Sequence, residues 1–362
     1  SINLNLSNTT IDPIQLAKIL SKLKSQNIEN VILEASSHGL KQNRLDGLKF
    51  NCGIFTNLSQ DHLDYHKNLN DYLDAKLYLF KNLIKKRGNV ITDRLIPQFK
   101  KIKKITINKG LKLHLLNDKK NNLEVISHRF KGEAQVLKIK LNNSILDLKL
   151  NLIGKIQFKN VLMAIIAARN SNITFDKILN KISKLKPVEG RFEKIGKIKN
   201  QSKVILDYAH TPDALKTCLL NLKEQFPTKT ITVLFGCGGD RDQNKRSKMG
   251  KIASIYSDNI ILTNDNPRFE NPKIIRRDIK KGIKNKNIIE IPDRGKAISK
   301  AIKDLNSGDI LLVAGKGHEK IQDIGNKKIY FSDRQVILNS IKIKNKYLSD
   351  NFKLNAIKEV AQ

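Results

Sequence analysis

Six short polar clusters hold the residue types that could do chemistry in this chain. The first is Glu34-Ala35-Ser36-Ser37-His38-Gly39-Leu40, with Gln42 and Arg44 just beyond it. The second is Asp61-His62-Leu63-Asp64-Tyr65-His66, continuing through Asp71 and Tyr72 to Lys76 and Phe80. Two more are Asp207-Tyr208-Ala209-His210-Thr211-Pro212-Asp213 and the glycine-rich Gly236-Cys237-Gly238-Gly239-Asp240-Arg241-Asp242. The sharpest are Asp265-Asn266-Pro267-Arg268 and Gly315-Lys316-Gly317-His318-Glu319. Acids, imidazoles and guanidinium groups in loops that follow apolar runs are suited to charged ligands, although loops are polar in any case. Each residue taken singly has a plainer use. Glu34 could cap a strand, His62 could lie on the surface, and Lys76 could be a solvated lysine on a helix face. Thr211 could cap a helix with Asp213 in its first turn, and the glycines could serve tight turns.

The elements that must position these clusters alternate between strand and helix. Asp12 and Pro13 open a helix carrying Leu16, Leu20 and Leu23 at helical spacing. Val31 to Leu33 reads as a buried strand ending at Glu34, and Phe50 to Phe55 as a second strand. The polar segment Thr56 to His66 follows, then a helix from about Asn70 to Lys85. From about Leu123 to Leu152 apolar residues alternate, with Asn142-Asn143-Ser144 between two arms, which reads as an antiparallel hairpin added to a mainly parallel sheet. A helix over Phe158 to Ala168 and a boundary near Pro187 complete this part. Beyond it, Val204 to Leu206, Ile231 to Phe235, Ile260 to Leu262, Ile288 to Ile291 and Ile310 to Val313 are strands, each followed by a turn and a helical stretch. That alternation predicts a doubly wound parallel sheet with ligands beyond the carboxyl ends of its strands. No internal repeat is present.

At 362 residues the chain exceeds what a single core usually supports, so two or three domains are expected. The net charge of +34 would by itself suggest an anionic partner. The lysines, however, are spread along the whole sequence beside Asn and Ile, as an AT-rich coding bias would produce, and no helix-turn-helix, aromatic-basic sheet motif or zinc finger accompanies them. Nucleic acid is therefore not the expected partner. Cys52, Cys218 and Cys237 form no C-x-x-C pair and no disulfide framework, which fits a reducing, cytoplasmic setting. No apolar run approaches the roughly 20 residues that span a bilayer, so no membrane association is expected.

Together, in order and spacing, the six clusters resemble the Mur ligase family, and the Asp265-Asn266-Pro267-Arg268 run resembles the diaminopimelate recognition motif of one of its branches. The resemblance extends over essentially the whole chain. It implies an α/β fold: residues 1–188 as a central ATPase-type domain, mainly a parallel sheet with the hairpin addition, and residues 189–362 as a Rossmann-like, doubly wound amino-acid-binding domain. It implies ATP-dependent amide-bond formation in peptidoglycan precursor synthesis, through an acyl phosphate on UDP-N-acetylmuramoyl-L-alanyl-D-glutamate that the amine of meso-diaminopimelate attacks. By similarity, Glu34, His62 and Lys76 would hold Mg2+, with Lys76 carbamylated because an ammonium cannot bind a cation. Thr9, Thr10, Ser36, Gln42 and Arg44 would contact the UDP-linked precursor, and Asn160, Arg191, Asp207 and His210 the ATP. Arg241, Asp265, Asn266, Pro267, Arg268, Gly315 and Glu319 would bind diaminopimelate, Arg268 taking its far carboxylate and Glu319 its far ammonium. Gln157 stands where many relatives have Asn.

A Mur ligase also carries a Gly-Lys-Thr phosphate loop, and Gly315 to Glu319 lacks both its hydroxyl and its strand-to-helix context. The reading expects an N-terminally truncated chain that is a monomer and is inactive as a ligase alone. The alternatives are a lysine-adding or folylpolyglutamate-type relative, against which Arg268 and the paired arginines argue, or a non-enzymatic anion-binding protein.

Overall fold

In a computed structural model of the chain, the structure describes residues 9–62, 65–116, 123–141, 144–284 and 288–360. The chain divides into two compact units: residues 1–129, 136–150 and 158–184 in the first, and residues 130–135, 151–157 and 185–362 in the second.

The first unit opens with α1 (Pro13–Ser25), capped by Asp12, whose Oδ1 accepts from the N–H groups of Ile14 at 3.0 Å and Gln15 at 3.4 Å. Then come α2 (Ser37–Lys41), β1 (Phe50–Phe55), α3 (Leu69–Tyr78), β2 (Ile84–Asp93), α4 (Phe99–Asn108) and β3 (Lys112–Leu116). The three strands pair in parallel in the order β1-β2-β3. Phe55, Leu73, Leu77, Phe80, Ile84, Val90 and Ile102 form a buried cluster in this unit. Two expectations fail here. Val31 to Leu33 is not a strand: no backbone partner runs beside it among the described residues, and Ile32 is 97% exposed. A strand needs ladder partners, which an apolar run cannot supply for itself. The helix expected to reach Lys85 gives way to one π-helical turn, Leu79–Leu83, and then to β2, because Ile84 is drawn under β1. A Cβ on Gly53 would lie 2.9 Å from both Ile84 Cδ1 and Phe80 Cε1.

The alternating segment forms β4 (Leu123–Lys131), β5 (Ala134–Leu141) and β6 (Ser144–Leu150), a separate three-stranded sheet in the order β4-β5-β6. Its β4 arm was not read from the sequence, and residues 142–143 of the expected turn lie outside the described residues. Next come α5 (Lys155–Arg169), covering the expected helix, and α6 (Phe175–Ile182).

The second unit contains β7 (Glu193–Lys194), β8 (Lys203–Asp207), α7 (Pro212–Gln225), β9 (Ile231–Phe235), α8 (Asn244–Tyr256), β10 (Asn259–Leu262), α9 (Pro272–Lys280), β11 (Ile288–Glu290), α10 (Arg294–Asp304), β12 (Ile310–Ala314), the antiparallel pair β13 (Ile321–Ile324) and β14 (Lys327–Tyr330), and α11 (Asp333–Val360). The main sheet has the order β11-β10-β9-β12-β8-β7, parallel except for β7. All five expected strands are present. The inner strands read as apolar runs because both faces are covered: Ile205, Val233 and Leu312 belong to one buried cluster with Leu219, Met249 and Ile275, while Val204, Leu234 and Leu311 belong to another with Ile298, Ile302 and Ile337. The edge strand β11 leaves Ile289 exposed. The consequence for chemistry is that β10, β9, β12 and β8 are consecutive neighbours. The four clusters that follow their carboxyl ends are therefore delivered side by side.

Candidate functional site

In the first unit, buried Thr10 organises the first cluster. Its Oγ1 donates to the Glu34 carbonyl at 2.9 Å, lies 2.9 Å from Ser36 Oγ, and accepts from the Ser36 N–H at 2.8 Å. Ser36 caps α2 by accepting from the Gly39 N–H at 3.1 Å, and Arg44 Nη1 donates to the Thr10 carbonyl at 2.8 Å. Gln42 Nε2 donates to the Tyr65 hydroxyl at 3.0 Å. Thr10, Ser36 and Arg44 are thus one constellation, with Gln42 tied to the second cluster and Thr9 exposed beside Thr10.

The second cluster closes on the first. His62 has a positive φ of 54°, and its ring stands edge-on to those of His38 at 5.0 Å and Tyr72 at 5.8 Å. Lys76 Nζ lies 5.2 Å from the centre of the same Tyr72 ring. Burial lowers the Lys76 pKa, opposed by the nearby carboxylates of Asp61 and Glu34. The structure therefore brings Glu34, His62 and Lys76 into one neighbourhood and adds Asp61, which carried no assigned role in the sequence. Among the described residues no three His, Cys, Asp or Glu side chains form a ligand set. Glu34 and His62 are suitable donors for a hard cation; Lys76 fits only as a carbamate, and burial favours the neutral amine from which a carbamate forms. His66, 1% exposed, holds Nε2 at 3.0 Å from Ser37 Oγ, with Nδ1 3.5 Å from Asp71 Oδ2, which ties the start of α2 to α3. Asn160 is also in the first unit, exposed on α5.

In the second unit the Asp207 carboxylate accepts from the Phe192 N–H at 2.7 Å through Oδ2 and from the Ala209 N–H at 2.7 Å through Oδ1. Burial pushes its pKa up, opposed by these bonds and by the Cys218 thiol. Its two oxygens thus hold the backbone of Phe192 and of the loop after β8 rather than projecting freely. The Arg191 guanidinium stacks over Tyr208 at 4.5 Å, and His210 packs on the same ring at 4.7 Å. Arg191, Asp207 and His210 are accordingly brought together around Tyr208. Gln157 Nε2 donates to the Arg191 carbonyl at 3.0 Å.

The loops after β9, β10 and β12 meet at Asn266. Its Nδ2 donates to Glu319 Oε2 at 3.0 Å, and its Oδ1 accepts from Lys316 Nζ at 2.9 Å and from the Asp323 N–H at 3.1 Å. A Cβ on Gly238 would sit 2.9 Å from Arg268 Nη1 and 3.9 Å from Arg241 Cγ, so the two arginines flank the same glycine. Arg268, at a positive φ of 51°, donates from Nη1 to the Gly239 carbonyl at 2.6 Å. The Pro267 carbonyl would lie 1.9 Å from a Cβ on Gly239. Gly315, at φ +113°, leaves room for Asp265, whose Oδ2 would be 2.7 Å from a Cβ there. Glu319 is engaged on both oxygens: Lys316 Nζ donates to its Oε2 at 2.9 Å and the Tyr208 hydroxyl to its Oε1 at 3.1 Å. Lys316, Tyr208 and the buried Arg294 behind Asp265 were assigned no role in the sequence reading. A lysine in a glycine loop reads as solvated, and only the packed loops show that it is wholly buried.

Two family profiles match the chain: the Mur ligase middle domain over residues 1–168, and the Mur ligase glutamate ligase domain over residues 190–317. A UDP-N-acetylmuramoyl-L-alanyl-D-glutamate--2,6-diaminopimelate ligase of Rickettsia bellii is 42% identical over 91% of this chain and 68% of its own length. The chain belongs to the Mur ligase family. The ligase of the same description from Rickettsia typhi is 41% identical over 91% of this chain and 66% of its own, so this Mur ligase chain spans about two thirds of the curated relatives it matches. A solved diaminopimelate ligase structure superposes with a TM-score of 0.62 at 31% identity, covering 92% of this chain and 69% of that one. The ligase MurF from Thermotoga maritima, in complex with ADP, superposes at 0.61 with 16% identity, covering 86% and 65%, a likeness of fold alone. No described helix of this Mur ligase is long and apolar enough to cross a membrane.

Proposed function

We propose that this Mur ligase chain serves the ATP-dependent addition of meso-diaminopimelate to UDP-N-acetylmuramoyl-L-alanyl-D-glutamate, in the cytoplasm. A D-glutamate carboxylate oxygen attacks the terminal phosphorus of ATP and ADP leaves. The amine then attacks the acyl carbon, inorganic phosphate departs, and the amine loses a proton as the amide forms. Thr9, Thr10, Ser36, Gln42 and Arg44 bind the UDP-linked precursor with hydroxyl, amide and guanidinium groups suited to its phosphates, sugar and carboxylate. Arg191, Asp207 and His210, gathered around Tyr208, hold ATP; Asn160 is assigned to the same nucleotide by the family resemblance. Glu34, His62 and a carbamylated Lys76 would hold Mg2+, which when bound screens the negative oxygens that must approach one another.

The observation that carries the assignment is the convergence at Asn266, where Arg268, Arg241, Asp265 and Glu319 gather from loops after three adjacent strands. A doubly zwitterionic amine needs a cation and an anion at its far end, and this pocket wall has both. Lysine lacks the second carboxylate and would give Arg268 no anionic partner on the substrate, which a site built on polar partners rejects strongly. Steady-state kinetics of the full-length ligase should give a kcat/KM for diaminopimelate roughly 1000-fold or more above that for lysine. Equal use of the two amino acids would refute the assignment.

A further inference from the structure

Lys316 has 0% exposed surface, yet it lies in the loop after β12, between Gly315 and Glu319. Each of its three ammonium hydrogens has an acceptor: Asn266 Oδ1 at 2.9 Å, Glu319 Oε2 at 2.9 Å and the Ile321 carbonyl at 2.6 Å. These acceptors come from three different segments: the loop after β10, the loop after β12, and the first residue of β13. The Asn266 amide is oriented by the same contacts. Its oxygen faces two donors, Lys316 and the Asp323 N–H, and its nitrogen faces Glu319. Reversal would point NH2 at two donors and oxygen at a carboxylate, so only one orientation is satisfied. The Arg268 backbone is fastened to the same strand, its N–H donating to the Asp323 carbonyl at 3.1 Å.

On the ligase reading proposed above, we infer that Lys316 is a positioning residue that sets amino-acid selectivity: it locks Asn266 and Glu319 in one frame and so fixes the spacing of Glu319 from Arg268. A buried ammonium with every hydrogen matched cannot relax toward water, because any movement strands at least one desolvated partner. The Glu319 carboxylate is thereby held in place and partly neutralised before an amino acid arrives. Its remaining negative charge then discriminates by geometry, favouring an ammonium presented at the correct distance from the Arg268 guanidinium over a mobile one.

The test is Lys316→Met in the full-length ligase, with KM and kcat measured separately for each substrate. The expected result is a rise in the KM for diaminopimelate of roughly 30-fold or more, the scale for breaking one side of a buried charged pair, with the KM for ATP unchanged within about twofold. The preference for diaminopimelate over lysine should fall along with it. Supplying ethylammonium to Lys316→Ala should partly restore that preference, which a loss of general stability would not allow. An unchanged diaminopimelate KM and an unchanged preference in Lys316→Met would overturn the inference. If Lys316→Met does not fold, Lys316→Gln, which keeps a donor but cannot match all three acceptors, takes its place and should show the same rise in KM and fall in preference; an unchanged diaminopimelate KM and preference in that variant overturns the inference equally. The wild-type control separates the two proposals. A wild type that uses lysine as well as diaminopimelate refutes the assignment of substrate, and Lys316→Met must still raise the KM of the amino acid that is used.

Discussion

Asp333→Asn should lower the stability of the second unit severely while leaving its shape intact. Arg294 and Asp333 are both fully buried, and the pair is bidentate: Nε donates to Oδ1 at 2.7 Å and Nη2 to Oδ2 at 2.6 Å. Nη2 also donates to the Ala314 carbonyl at 2.9 Å, at the end of β12, and Nη1 lies 3.9 Å from Asp265 Oδ2 with no hydrogen-bond partner of its own. The amide keeps the volume but withdraws the counter-charge and turns an NH2 group toward a guanidinium. Breaking one side of a buried pair costs about 3–5 kcal/mol. For a unit of this size each kcal/mol moves Tm by about 2–4 °C, so the expected drop is roughly 6–20 °C in thermal unfolding followed by circular dichroism. Replacing both partners with apolar residues, Arg294→Met/Asp333→Leu, should recover most of that loss, short of the roughly 1–3 kcal/mol left by an unsatisfied Ala314 carbonyl. The pKa of Arg294 is raised, chiefly by Asp333 against the opposing effect of burial. A base with a raised folded pKa contributes its stability fully below its unfolded pKa, so the Asp333→Asn deficit should not vary with pH across the neutral range. A drop under about 2 °C, or a double variant worse than the single, would refute the reasoning.

Three further outcomes follow from the first unit. Lys76→Ala should abolish ligase turnover, with partial rescue by short carboxylates or bicarbonate, and full activity of the unrescued variant would eliminate the carbamate. Because burial lowers the Lys76 pKa, the unfolded chain binds this proton more readily; stability should therefore rise with pH between the lowered value and that of an ordinary lysine, unless a carbamate replaces the amine. Gly39→Ala would place a methyl 2.5 Å from Thr10 Cβ and 2.8 Å from its Oγ1, displacing the hydroxyl that supports Ser36. It should cost about 1–3 kcal/mol in urea unfolding and weaken binding of the UDP-linked precursor; wild-type stability and affinity together would show that Thr10 does not organise the cluster.

Much of this protein is legible in one dimension. Ile231 to Phe235, Ile260 to Leu262 and Ile310 to Val313 announce themselves as strands because a parallel strand covered on both faces must be apolar throughout, and that requirement is written residue by residue. Asp12 before Pro13 and Thr211 before Pro212 mark helix starts because capping is a contact between near neighbours. Four of the six clusters could be picked out because each follows such a strand within a few residues. What local pattern cannot carry is partnership. Val31 to Leu33 has the composition of a strand and lacks a ladder, β4 needed a neighbour to be recognised, and the helix after Asn70 stops early because Ile84 packs under Gly53. The same holds for charge. Lys316 and Arg294 look like any other of the chain's many basic residues, and only the meeting of three loops and the packing of α11 bury them. Burial turns an ordinary surface cation into one that must be matched hydrogen by hydrogen, and it is a property of distant segments in contact.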